Sequence, residues 1–258
     1  MPANAKKQNH PDDVAYPLLY LAQHREYIED LPFWLDLARE ADGPILELGC
    51  GTGRVLVPLV EAGHTVYGLE NDPEMFVILH DQILSASAHN AHIFLKDIRT
   101  FQFDIKFPLV LIPCNTYSTF PTKERHAALV CVRDHLSSQG IFAISIPNPE
   151  VLSRLETSDQ AEIDSSFLHP TTGHPVQVSC NWTRSKDNLT IHWYYDHLLP
   201  DGRVERRSIS IRHFLTSTQE YLHELESAGL KISAIYGDFD YSPHTADSPN
   251  LIVVAQKL

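Results

Sequence analysis

The sequence predicts an α/β fold: a doubly wound, mostly parallel sheet that ends in an antiparallel pair of strands and carries an antiparallel β insertion. Three observations predict it. A short apolar run, Ile45 to Leu48, leads into glycines at positions 49, 51 and 53 and then into a helical pattern (Val55, Leu56, Leu59, Val60), which reads as strand, tight turn and helix start. Phe107 to Ile112 and Ile141 to Ile146 are nearly all apolar, as parallel strands covered on both faces should be. From about residue 162 to 215 the pattern changes to extended segments separated by Thr172-Gly173, Lys186-Asp187-Asn188 and Pro200-Asp201-Gly202, which implies successive antiparallel strands.

Composition bounds the function. A chain of 258 residues can bury a full core. Its formal net charge of -13 argues against nucleic acid as a partner, because that affinity rests on lysine and arginine neutralising phosphates, and it points toward small molecules. The four cysteines are scattered with no C-x-x-C pair, as expected of reduced thiols in a cytoplasm. Met1 to Asp13 lack the apolar core of a secretory signal, and no apolar run approaches the roughly 20 residues of a membrane span, so no membrane role is expected.

In chain order, Met1 to about Pro11 reads as a disordered tail. Two helices follow, one through Leu18, Leu19, Leu21 and Ile28 and one through Leu31, Trp34, Leu35 and Ala38, with an interruption at Pro32. Residues 1–40 are thus set apart from a main domain at 41–258. The glycine turn comes next, and its spacing departs from a dinucleotide fingerprint, whose third glycine would stand at Arg54. Glu47, at the carboxyl end of the strand, would repel a pyrophosphate and suits a ligand that carries an ammonium and a sulfonium.

The run Glu47-Leu48-Gly49-Cys50-Gly51-Thr52-Gly53-Arg54 resembles motif I of the class I S-adenosylmethionine-dependent methyltransferases. The resemblance implies a Rossmann-like seven-stranded sheet, S-adenosyl-L-methionine as cofactor, and a cofactor site that includes Glu47, Gly49, Cys50, Gly51, Gly53 and Arg54. It also implies an aromatic from the first helices closing over the cofactor, for which Tyr20 is the candidate, with packing under the helix as the alternative.

After the turn, Val55 to Ala62 forms a helix and His64 to Glu70 the second strand. Glu70, about 20 residues past the glycines, is placed to accept hydrogen bonds from two ribose hydroxyls, with Asn71 beside it, whereas Asp72 reads as the cap of a helix that has Pro73 at its first position. Met75 is similar to the family's adenine-side residue. A third strand, His92 to Leu95, leads to Asp97-Ile98, which the resemblance assigns to the adenine amino group and ring face. The apolar strand 107–112 delivers Pro113, Cys114, Asn115, Thr116 and Tyr117 to the carboxyl edge, where ligands bind in open α/β sheets. Pro113 completes the expected cofactor set. Asn115 and Tyr117 are candidates to contact the acceptor, against a loop cap for Asn115 and simple packing for Tyr117. The absence of paired prolines sets this stretch apart from the motif of nucleic-acid amino-methyltransferases.

Lys123 to Leu136 reads as a helix and 141–146 as a buried strand, with Gly140 ending the connection. The insertion's aromatics (Trp182, Trp193, Tyr194, Tyr195, Phe214) have three uses open to them: a lid over the acceptor, a homodimer surface, or the insertion's own core. No metal is expected. His192 and His197 lie on opposite faces of one predicted strand, and His169 and His174 lack an evident third ligand. His213 is the candidate base, with a structural histidine as its alternative. Ser217-Thr218-Gln219-Glu220 is a capping box for a last helix, and Lys231 to Tyr236 and Leu251 to Ala255 form the closing antiparallel pair. The function expected is methyl transfer to the nitrogen or oxygen of a small-molecule acceptor. A protein or RNA methyltransferase and a non-catalytic cofactor-binding partner subunit stand as alternatives.

Overall fold

The computed structural model describes residues 16–86 and 89–257, so the expected tail at Met1 to Pro11 lies outside the described residues. Two helices precede the sheet, α1 (Tyr16–His24) and α2 (Leu31–Arg39). Pro32 does not interrupt the second helix but begins it. A proline lacks an N–H that the first turn does not need, and the chain breaks instead across residues 25–30. Phe33, Trp34 and Ala38 of α2 are fully buried and pack in one cluster with Ile45, Leu56, Leu59 and Val66.

The alternation of strand and helix follows as expected: β1 (Ile45–Leu48), α3 (Leu56–Glu61), β2 (Val66–Glu70), α4 (Pro73–Ser85), β3 (Ala91–Leu95) and β4 (Phe107–Ile112). Every residue of β1 is buried, which explains its lack of polar alternation apart from Glu47. Asp72 caps α4 by accepting from the Glu74 and Met75 amides at 2.8 and 3.2 Å. A 3-10 turn (Thr116–Thr119) and α5 (Thr122–His135) connect to β5 (Leu136–Pro147). That strand starts directly at the helix end, earlier than expected, and its register opposite β4 is irregular where Gln139 takes a positive φ of 64°.

The chain continues through α6 (Pro149–Arg154), then β6 (Ser158–Leu168), β7 (Pro175–Arg184), β8 (Asn188–Leu198) and β9 (Val204–Phe214), and ends with α7 (Thr218–Ser227), β10 (Leu230–Tyr236) and β11 (Asn250–Lys257). The main sheet has the order β10-β11-β5-β4-β1-β2-β3. It is parallel except for β11, which lies antiparallel between β10 and β5. The insertion is a separate antiparallel sheet of order β6-β7-β8-β9. Its own buried cluster, Val176, Val178 and Tyr195, includes Leu19 of α1, so the first helix is clamped against the insertion. Among the described residues, no helix is long and apolar enough to cross a membrane.

Candidate functional site

Strand order reverses direction between β1 and β4, and in an open α/β sheet a crevice forms there at the carboxyl ends of the strands. A cavity of about 610 Å3 occupies that place. Its floor is the glycine loop and the end of β2 (Gly49, Gly51, Glu70, Asn71, Asp72, Met75), and its roof is one face of the insertion sheet (Ile191, Trp193, Tyr195, Ile209, Ile211, His213). Tyr16 and Tyr20 of α1 close one side, and Cys114, Asn115 and Thr116 after β4 the other. A recess of about 50 Å3 shares Tyr20, Gly49, Gly51, Cys114 and Thr116 with it and is also lined by Glu47, Cys50, Arg54 and Pro113.

Glu47 is almost fully buried at 2 % exposure, and its Oε2 has no hydrogen-bond partner. Burial pushes its carboxyl up to about 8, against the pull of Arg54. An orphaned carboxylate is costly, and a ligand cation brought to it would remove that cost. The glycine loop beside it wraps back onto β2: the Gly49 and Cys50 amides both donate to the Leu69 carbonyl. A Cβ on Gly49 would stand 2.7 Å from Thr116 Cγ2, whereas one on Gly51 (φ +56°) would project into open space, the cavity itself. The Cys50 side chain packs in the core, so this residue offers its backbone to the recess.

Glu70 is anchored rather than free. Its Oε2 accepts from the Gly51 amide and its Oε1 from the Asn71 and Asp72 amides, each at 2.8 Å. Oε1 thus has both lone pairs engaged, whereas Oε2 keeps one for a further donor. Met75 and Ile98 line the cavity, but Asp97 does not: its carboxylate is held by the Arg99 guanidinium and amide, which keeps it below the ordinary carboxylate range. Arg54 is likewise engaged. Both terminal nitrogens bond Asp30 at 2.6 Å, it stacks over Tyr27 at 4.9 Å, and it donates to Cys114 Sγ. Asp30, 1 % exposed, also accepts from Trp34 Nε1. Arg54 therefore ties the glycine loop to α2, a tertiary pairing across 24 residues.

Tyr20 stacks on His24 with ring centroids 4.1 Å apart, and lines both the cavity and the recess. Beyond the end of β4, Cys114 and Asn115 take positive φ of 60° and 66°, an uncommon conformation for side-chain-bearing residues. It turns Asn115 toward the cavity, with no side-chain hydrogen bond in the described chain. Tyr117 turns the other way: it is fully buried, donates to Glu224 Oε2 at 3.3 Å and does not line the cavity. Its packing alternative is the one the geometry matches.

His213, brought from the insertion, faces the cavity at 5 % exposure, and burial pushes its imidazole down to about 4. Its Nδ1 lies 2.9 Å from Ser118 Oγ, and Ser118 donates its proton to the Asn115 carbonyl at 2.8 Å. The histidine must then carry its proton on Nδ1, which leaves Nε2 as an acceptor. Ser118, a buried residue 95 positions away, gave no sequence signal; nor did Gln23, His24 and Thr119 on the cavity wall. The isoleucines of β8 and β9 were legible as one face of each strand, but not as the face that meets the cavity. His197 stacks on His169 at 4.1 Å, yet among the described residues no group of three or more His, Cys, Asp or Glu is arranged to hold a metal.

An unpartnered buried carboxylate, a glycine cradle open to a large cavity and a roof of apolar side chains suit S-adenosylmethionine. Residues 45–140 match the family of methyltransferase domains. The chain therefore carries a methyltransferase domain. The chain is 24% identical over 226 residues to the cypemycin N-terminal methyltransferase of a Streptomyces species, with 87% of each chain covered. Its fold matches that of an S-adenosylmethionine-dependent methyltransferase from Clostridium acetobutylicum with a TM-score of 0.78, at 14% identity, over 93% of this chain and 96% of that one. It also matches the sugar N-methyltransferase KedS8 from a Streptoalloteichus species with a TM-score of 0.74, at 19% identity, over 99% and 98% of the two chains.

Proposed function

We propose that this methyltransferase transfers the methyl group to the amine nitrogen of a small-molecule acceptor that binds between the main sheet and the insertion. The observation that carries the proposal is His213: a neutral imidazole whose Nδ1 is fixed by Ser118 and whose Nε2 is left to accept a hydrogen bond from the cavity side. Held so low by burial, His213 is a weak base. It suits an amine that enters neutral, since such a nitrogen already has its lone pair and needs only orientation, whereas an aliphatic hydroxyl would need a strong base. The cypemycin relative and KedS8 are both named for amine or nitrogen methylation, which supports the same nucleophile.

In this proposal Glu47 receives the ligand ammonium in the recess, Glu70 the ribose hydroxyls, and Met75 and Ile98 the adenine ring, with Tyr20 closing over the cofactor. S-adenosylmethionine, when bound, supplies an electrophilic methyl group. The chain's own residues hold the acceptor in line and exclude water: Asn115 offers its amide beside His213, and the insertion sheet covers the pair. Asp97 holds Arg99, which in turn pairs with Glu124.

The test is a screen of small amines and their hydroxyl counterparts with S-adenosylmethionine, read as S-adenosylhomocysteine formed and as product mass. Methylated amines that form at least ten times more slowly with His213→Ala are the expected result. Methylation of hydroxyls only, or full activity in the variant, would overturn the proposal.

A further inference from the structure

The roof of the cavity carries information about the acceptor that its floor does not. The face that β8 and β9 present is Ile191, Trp193, Ile209 and Ile211, continued by Phe120 on the opposite wall. No lysine or arginine lines the cavity among the described residues, while two carboxylates, Glu70 and Asp72, do. The nearby guanidiniums are committed elsewhere. Arg54 pairs with Asp30, Arg99 stands behind the Phe120 ring paired with Asp97 and Glu124, and Arg125 is sealed against Glu224. Arg207 shares the inward face of β9 two positions before Ile209 but is not part of the lining.

A phosphate or carboxylate carried under this roof would lose its water and meet no cation. Its negative charge would share the cavity with Glu70 and Asp72. Anion sites are ordinarily built on arginine forks or rows of backbone amides, and here the amides of the glycine loop and of the turn after β2 already donate to Leu69 and Glu70. An apolar ring has the opposite balance, since it buries its surface against isoleucine, tryptophan and phenylalanine at no polar cost.

We infer that the acceptor is a non-anionic molecule with an apolar, ring-sized body, held under the insertion sheet by Trp193, Ile191, Ile209 and Ile211 with its nucleophile toward His213, and that phosphorylated or carboxylated molecules are excluded from that space. The inference rests on the methyltransferase site proposed above and narrows its substrate.

The experiment is saturation-transfer NMR on the full chain in the presence of S-adenosylhomocysteine, with benzylamine, cyclohexylamine and benzyl alcohol as probes against benzoate and phenyl phosphate. Calorimetry first establishes that S-adenosylhomocysteine binds. The amine and alcohol probes should bind in the millimolar range or better, and the two anions at least tenfold more weakly. Trp193→Ala should weaken the ring probes at least fivefold while S-adenosylhomocysteine affinity stays within twofold. Equal or tighter binding of the anions overturns the inference, above all if Arg207→Ala abolishes it, and so does failure of every uncharged or cationic ring to bind. Failure of S-adenosylhomocysteine itself to bind would instead withdraw the methyltransferase site, and the acceptor inference with it.

Discussion

In the proposed site, Glu47 would couple cofactor binding, protonation and stability through one side chain. Its carboxyl is raised from the ordinary value of 4.5 to about 8 because burial disfavours the charged form. Between those two pH values the folded chain holds a proton that the unfolded chain has lost, so stability falls as pH rises, with a slope near 1.4 kcal/mol per pH unit inside the window. Glu47→Gln should therefore flatten the loss of stability between about pH 4.5 and 8, measured by urea unfolding without cofactor. The same variant should bind S-adenosylmethionine at least tenfold more weakly. Wild-type binding at pH 7 should release a proton, detectable by calorimetry in buffers of different ionisation enthalpy, and the variant should release none. His213 rests on a different chain of contacts. Ser118→Ala removes the acceptor of the Nδ1 proton, which frees the imidazole to turn and change tautomer. The expected outcome is a lower kcat and a shifted pH profile with unchanged cofactor affinity; loss of cofactor binding alone would point to a merely structural serine.

At the scale of elements, the glycine loop separates folding from binding within three residues. Gly51→Ala places a methyl group in the open cavity and a side chain at positive φ, so it should cost about 1 kcal/mol of stability while cofactor binding falls below detection. Gly49→Ala drives its Cβ into Thr116 and should lower the thermal midpoint well beyond that. Calorimetric titration and thermal melts of the two variants read the two effects apart. The insertion behaves as a single two-faced element. Trp193 pairs with Ile209 and Ile191 with Ile211 across β8 and β9, which gathers the apolar residues on the face toward the cavity. The opposite face is stitched by polar contacts such as His192 to Ser210 and Tyr194 to Asn181. That division supports the lid among the three uses open to its aromatics.

Across the whole molecule, the insertion is anchored to the main body where the chain re-enters it. Arg125 of α5, fully buried, bonds Glu224 of α7 through Nε and Nη2, the Phe120 carbonyl, and Thr216 just after β9. The strand that delivers His213 is thereby fixed to both helices and to the turn beside the cavity. Removing one member of such a pair leaves a buried charge without its counterpart. Arg125→Ala should destabilise the protein by about 3 kcal/mol in chemical denaturation and should weaken acceptor turnover more than cofactor binding, because it loosens the roof and leaves the glycine loop in place. Equal losses of both would mean that Arg125 supports the core alone.

The sequence by itself determined what local physics controls. The apolar runs at 45–48, 107–112 and 141–146 demand burial on both faces, the glycines at 49 to 53 demand a tight turn, and Asp72 and Ser217 announce helix starts by chemistry that spans four residues. The parallel sheet, the antiparallel insertion and the position of Glu47 in its strand followed from those signals, and the cofactor from the resemblance of residues 47–54 to motif I. Only the tertiary structure decided which side chains share a space. Arg54 was paired with Asp30 and Tyr117 drawn to Glu224, because a charge or hydroxyl leaving water goes to the partner that packing brings nearest, and sequence spacing carries no record of a pairing across 24 or 107 residues; Asp97, by contrast, is held by Arg99 only two positions on. For the same reason, His213 met Ser118 only once the insertion folded back over the end of β4.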